Sequence, residues 1–180
     1  DALYDAISQK LAEPAFLPRA LFDRFNIEVL ATTEDPLDDL SHHQSIRSSG
    51  WTGRVITTYR PDNVIDPEHT GFAQNVEHLG ILTKCDTQNW QGYLQAHRLR
   101  RAYFRSFGAT ATDHGHPTAR TENLSFEDAA ALFDKVVRGQ ASPQEAERFR
   151  GQMLTEMARM SLEDGMVMQL HPGSWRNHSP

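Results

Sequence analysis

A single cysteine, Cys85, stands in 180 residues, so no internal disulfide is available and a reducing, cytoplasmic compartment is expected. Long apolar runs are missing as well. No stretch approaches the roughly 20 residues of a membrane-spanning helix or the core of a signal peptide, so no membrane partner is expected. Basic clusters are scarce: 18 Lys and Arg stand against 24 Asp and Glu, the formal charge is -6, and the longest basic run is Arg100-Arg101. A nucleic-acid partner would need a basic patch that this composition does not supply. Neither G-x-G-x-x-G nor P-loop spacing occurs, which argues against a nucleotide cofactor. What remains is a soluble protein that acts on a small polar molecule.

The length suits one domain burying roughly 70% of its unfolded surface. The opening at Asp1 without Met, and the end at Pro180 soon after a strand-like run, lead us to expect a piece of a larger protein. Leu3, Tyr4, Ile7 and Leu11 recur at helical spacing, which predicts a packing helix over residues 2–13, ended by Pro14. Pro18 opens a second short helix through Leu21, Phe22 and Phe25 to Asn26. From there the pattern alternates. Strands are predicted at 27–31, 54–58, 109–112 and 166–170, with Asp113, His114 and His116 on the turn after the third. Helices are predicted from Leu37 past Ile46, at 72–84, at 87–107, at 126–138 after the cap Ser125, and from Ser142-Pro143 to about Leu162. Strands separated by helices imply parallel pairing and an α/β fold with both sheet faces covered. Polar loops follow all four strands, as in a TIM-type barrel, where the βα loops build the site. Four strands are half of the eight that a barrel requires.

The chemistry-bearing residues fall at those strand ends. Asp113, His114 and His116 sit around Gly115 and before Pro117, where they form either an H-x-H metal pair or a loop in which Asp113 orients one imidazole; of the two histidines, His114 is the candidate. His171 follows directly on an apolar strand, the position for a metal ligand or an acid-base imidazole. Arg176 and Asn177 on the same loop offer an anion donor and an amide for hydroxyls. Arg60 ends the second strand and is held by Asp62, suited to a substrate carboxylate or to an internal salt bridge. Thr32, Thr33 and Asp35 read as ordinary turn residues. His42-His43 are helix neighbours that diverge, so a shared metal is not expected. Arg98, Arg100, Arg101 and Arg105 read as a solvated helix face.

Four segments in this order, ALFDRFNIEVLATTEDPLDDL, VITTYRPD, GATATDHGH and MVMQLHPGSWRNH, resemble the uronate isomerase (glucuronate isomerase) family of the amidohydrolase superfamily, from Leu17 to His178. The resemblance implies a (β/α)8 enzyme of several hundred residues, in which 25–180 supply barrel strands two to five and 1–24 end a helical insertion. It implies interconversion of D-glucuronate with D-fructuronate, and of D-galacturonate with D-tagaturonate, by proton transfer between C2 and C1 through an enediol. By the same resemblance Arg60 is the substrate-contacting arginine, Asp113-His114 the strand-four pair, and His171 the strand-five histidine near a divalent metal, usually zinc. Tyr59 stands where many members have Phe, and Pro172 is not the commonest residue there. The superfamily's strand-one H-x-H pair and strand-eight Asp have no counterpart in this sequence. The expected partners are therefore the remainder of the same enzyme and a hexuronate, with a homo-oligomer allowed; the catalytic base is expected outside the segment, and the segment alone is expected to be inactive. A metal-dependent hydrolase on the same barrel, or a non-catalytic fragment that binds sugar acids, are the alternatives.

Overall fold

A computed structural model describes residues 2–173, which form two compact units: one runs to Thr32 and resumes at 40–56, the other comprises 33–39 and the chain from Thr57 onward. The strands are β1 (Leu30–Glu34), β2 (Val55–Tyr59), β3 (Ala111–His114) and β4 (Val167–Leu170), in the order β1-β2-β3-β4. The β2–β3 and β3–β4 pairs are parallel, with Asp113 opposite Gln169 and His114 opposite Leu170. The predicted α/β class with parallel pairing therefore holds. No helix among the described residues is long and apolar enough to cross a membrane.

In the first unit, α1 (Ala2–Leu11) forms where the periodicity predicts it, but it buries none of its residues. Leu3, Tyr4, Ile7 and Leu11 are 50–71% exposed, which corrects the expectation of a packing helix: the stripe is there, and the described residues do not bury it. The next helix, α2 (Pro18–Arg24), does pack, through Phe22 set edge-to-face on Trp51 at 4.9 Å. Arg19 lies over the same indole and donates to Ser49 Oγ at 3.0 Å. Asn26 then turns the chain at φ 50°. The strand that follows begins three residues later than the apolar run suggests: the Ile27 N–H is still tied back to Phe22 O at 3.0 Å, and Leu30 N–H is the one that donates to Arg54 O, also at 3.0 Å. Thr32, assigned to a turn by the sequence, lies within β1 and is hydrogen-bonded to His43 Nε2 at 2.9 Å on α3 (Ser41–Ser48).

The second unit carries the larger core. A four-residue helix, α4 (Asp62–Ile65), opens from the end of β2, and α5 (Phe72–Thr83) and α6 (Trp90–Ser106) follow. In α7 (Phe126–Val137) the residues Ala129, Leu132, Phe133 and Val136 recur every three to four positions and are the buried ones. The helix starts where Ser125 Oγ accepts the Asp128 N–H. At the head of α8 (Pro143–Asp164) a full capping box forms, Ser142 N–H donating to Glu145 and Glu145 N–H to Ser142 Oγ. Rings from three helices meet: Tyr93 stacks on Phe133 at 4.6 Å, and Phe133 on Phe149 at 6.0 Å. Such aromatic pairs contribute roughly 0.5–1.5 kcal/mol each beyond their burial.

The arginines of α6 overturn the prediction of a solvated face. Arg101 is fully buried, its Nε 2.6 Å and its Nη2 2.9 Å from the two oxygens of Asp164. Arg100 is buried too and donates to the Pro36 and Asp38 carbonyls at 2.7 Å each. Arg98 forms a forked pair with Glu163, and Arg105 alone of the four remains exposed as predicted. Charge on a helix face marks solvent only when no carboxylate or carbonyl from another element reaches it, and here α8 and the 36–38 segment do.

Candidate functional site

Parallel pairing brings the C-terminal ends of β2, β3 and β4 side by side, so residues far apart in sequence become neighbours. The register carries past the strands themselves: Arg60 N–H donates to Glu34 O at 3.0 Å, and His171 N–H to His114 O at 3.2 Å. Asp113 and His114 lie inside β3 rather than on the turn after it, which corrects the sequence reading; all four residues of β3 are buried. Successive strand residues point to opposite faces, so the two part company.

Asp113 faces the strand-end loops and joins two of them. Its Oδ1 lies 2.7 Å from His171 Nε2, and its Oδ2 lies 3.3 Å from Arg60 Nη1. Arg60 Nε donates in turn to Asp62 Oδ2 at 2.8 Å, and Asp62 also accepts the Gly115 backbone N–H at 3.0 Å. One guanidinium is thus set between two carboxylates, and one of these, Asp113, also orients the imidazole. The groups are partly exposed, with side-chain accessibilities of 25% for Arg60, 13% for Asp113 and 35% for His171, so the network is open to small molecules. Beside it a cleft of about 420 Å³ is lined by Asp35, Arg60, Asp62, Asp66 and Gly115, among others. An imidazole held by a carboxylate can take or hold a proton, the carboxylate fixing its tautomer and stabilising the charged form. A forked guanidinium can hold a carboxylate or a developing oxyanion.

His114 goes elsewhere. Its ring is fully buried and hydrogen-bonded through Nε2 to Thr112 Oγ1 at 2.9 Å. Burial, followed by the neighbouring His116, pushes its pKa down to about 3. His116 is nearly as deep, and neither of its ring nitrogens has a hydrogen-bond partner among the described residues; burial lowers its pKa as well. The two rings lie 5.7 Å apart at 63°. Among the described residues no group of three His, Cys, Asp or Glu converges to hold a metal ion. His171 Nε2 is engaged by Asp113, and the described residues do not by themselves assemble a metal centre. Arg176 and Asn177, the other sequence candidates, lie outside the described residues.

One contributor went unseen in the sequence: Gly115 read as turn punctuation between histidines, and nothing local marks its contact with Asp62.

Comparisons with known proteins agree in direction. A family model described as glucuronate isomerase matches residues 1–180. The uronate isomerase of Phenylobacterium zucineum strain HLK1 is 62% identical over 179 residues, which are 99% of this chain and 37% of that protein. That of Xanthomonas campestris pv. campestris strain B100 is 63% identical over 179 residues, again 99% of this chain and 38% of the relative. The chain therefore spans a little over a third of the length of the curated relatives it matches. Among solved structures, the glucuronate isomerase from Caulobacter crescentus superposes with a TM-score of 0.92 at 58% identity, covering 97% of this chain and 36% of that one. The uronate isomerase from Thermotoga maritima gives 0.84 at 26% identity, covering 89% of this chain and 36% of that one.

Proposed function

Because this chain belongs to the glucuronate isomerase family, we propose that its strand-end loops are one part of the active site of a hexuronate isomerase, an aldose-ketose isomerase built on a (β/α)8 barrel that the rest of the enzyme completes. The reaction moves the C2 proton of D-glucuronate to C1 through an enediol, with the C1 oxygen gaining a proton and the C2 oxygen losing one, to give D-fructuronate. The observation that carries the reading is the convergence of Arg60, Asp113 and His171 at three adjacent parallel strand ends.

The geometry supports these roles. Asp113 orients His171, whose imidazole holds or moves a proton at a sugar oxygen as the enediol forms. Arg60, edged onto the cleft, holds the substrate's carboxylate. A divalent metal, zinc by expectation, supplies polarisation of the sugar carbonyl when bound. His171 is the residue of this segment that would help hold it, the other ligands would come from the rest of the enzyme, and none of the roles above depends on it. The cytoplasm is the proposed location and a homo-oligomer the proposed assembly.

The test is made on the full-length enzyme that carries these residues, by following exchange of the C2 proton of D-glucuronate with solvent by NMR alongside ketose formation. Exchange with isomerisation is expected, and His171→Ala or Arg60→Ala is expected to lower turnover about a hundredfold or more while the protein stays folded. Hydrolysis of an amide or ester panel without exchange overturns the isomerase reading, and wild-type turnover in either variant overturns the roles.

A further inference from the structure

Three loops meet at one residue that has no side chain. A Cβ built on Gly115 falls 2.5 Å from Arg60 Nη2, 2.8 Å from Asp62 Oδ2 and 3.2 Å from His171 Cε1. No real Cβ tolerates the first two distances, so a methyl there displaces the guanidinium or the carboxylate. A left-handed backbone does not explain the glycine, since its φ is not positive. Its N–H is spoken for, donating to Asp62 at 3.0 and 3.2 Å from the two oxygens. Asp62 passes that restraint to Arg60 Nε, and Arg60 passes it through Asp113 to His171.

We propose that Gly115 is a positioning residue of the site: its N–H anchors Asp62, and its missing side chain leaves the space in which Arg60, Asp62 and His171 close on one another. The proposal rests on the isomerase reading for its activity readout, but the contact itself is independent of the reaction. Gly115 touches no substrate in this scheme. It sets the distance between the anion-holding guanidinium of the β2 loop and the imidazole that follows β4, and an error of about 1 Å in such a distance costs roughly a hundredfold in rate.

The experiment is a double-mutant cycle in the full-length enzyme. Gly115→Ala is expected to lower kcat/KM for D-glucuronate about a hundredfold with little change in melting temperature. Arg60→Lys removes Nη2, the atom nearest the added methyl, so adding Gly115→Ala to Arg60→Lys is expected to cost no more than about threefold beyond Arg60→Lys alone. A merely structural glycine predicts losses that multiply, and that result, or near wild-type activity in Gly115→Ala, overturns the proposal. If the wild-type enzyme does not isomerise uronates, the functional reading fails, and a crystal structure of Gly115→Ala decides the inference: displacement of Arg60 from Asp62 supports it, and an intact Arg60–Asp62–Asp113–His171 chain overturns it.

Discussion

Replacing His97 by glutamine separates the titration of a buried imidazole from its hydrogen bond. His97 sits in α6 with no exposed surface, its Nδ1 hydrogen-bonded to the Tyr59 hydroxyl at 2.8 Å and its ring edge-on to Tyr93 at 4.6 Å. Its Nε2 has no partner among the described residues, so a second proton there has nothing to stabilise it. Burial first, then the charge of Arg101, pushes its pKa down to about 3 from an ordinary 6.5. The folded state therefore refuses a proton that the unfolded chain accepts. Stability from this group is complete above pH 6.5 and is lost progressively as the pH falls toward 3. At pH 5 the unfolded imidazole has gained about 1.5 pH units of protonation free energy, which at about 1.36 kcal/mol per unit is about 2 kcal/mol. His114, pushed to about 3 by its own burial, adds a similar amount. Against a net stability of roughly 5–15 kcal/mol the two together are a large fraction. Glutamine keeps a polar partner for Tyr59 and does not titrate. Urea unfolding of the full-length enzyme at pH 7.5 and pH 5 is thus expected to show a pH-dependent loss smaller by about 2 kcal/mol in His97→Gln than in wild type. Carboxylates held low by their partners, Glu147 and Asp164 among them, also lose stabilisation on acidification, but equally in both proteins. Parallel pH dependence in the two refutes the reasoning.

The buried Arg101–Asp164 pair predicts an asymmetric response: Arg101→Met leaves a carboxylate at 16% exposure without its partner and is expected to cost about 3–5 kcal/mol, read by urea denaturation, with Asp164→Asn on top restoring part of it. At the head of α8, Ser142→Ala removes one half of the capping box and is expected to cost about 1 kcal/mol in the same measurement, with activity unchanged.

The helices and their caps were legible because their signals are local. Ser125 with Asp128, and Ser142-Pro143 with Glu145, act on backbone groups three residues away, and the buried stripe of α7 repeats with the helical period. Strand existence and order were legible for the same reason, and strand boundaries were not. The run beginning at Ile27 looks extended, yet β1 starts at Leu30 and continues through the polar Thr32, Thr33 and Glu34, because pairing with a neighbouring strand, not hydrophobicity, decides which backbone groups join a sheet. The same holds for Asp113 and His114, read as turn and found as strand.

The candidate site divides along that line. The sequence by itself determined which chemical groups stand at strand ends, Arg60 after β2, Asp113 and His114 at the end of β3, His171 after β4, since residue type and strand order are local facts. Only the tertiary structure decided which of them meet. Strand alternation sends Asp113 to the loops and His114 to the interior, parallel register sets Asp113 within 2.7 Å of an imidazole 58 residues away, and the 2.5 Å approach of Arg60 to the place of a missing Cβ gives Gly115 its meaning. The physical reason is that these are relations between segments distant in the chain, and no property of either segment alone contains them. The same limit applies to Arg100 and Arg101, whose burial depends on partners some sixty residues away.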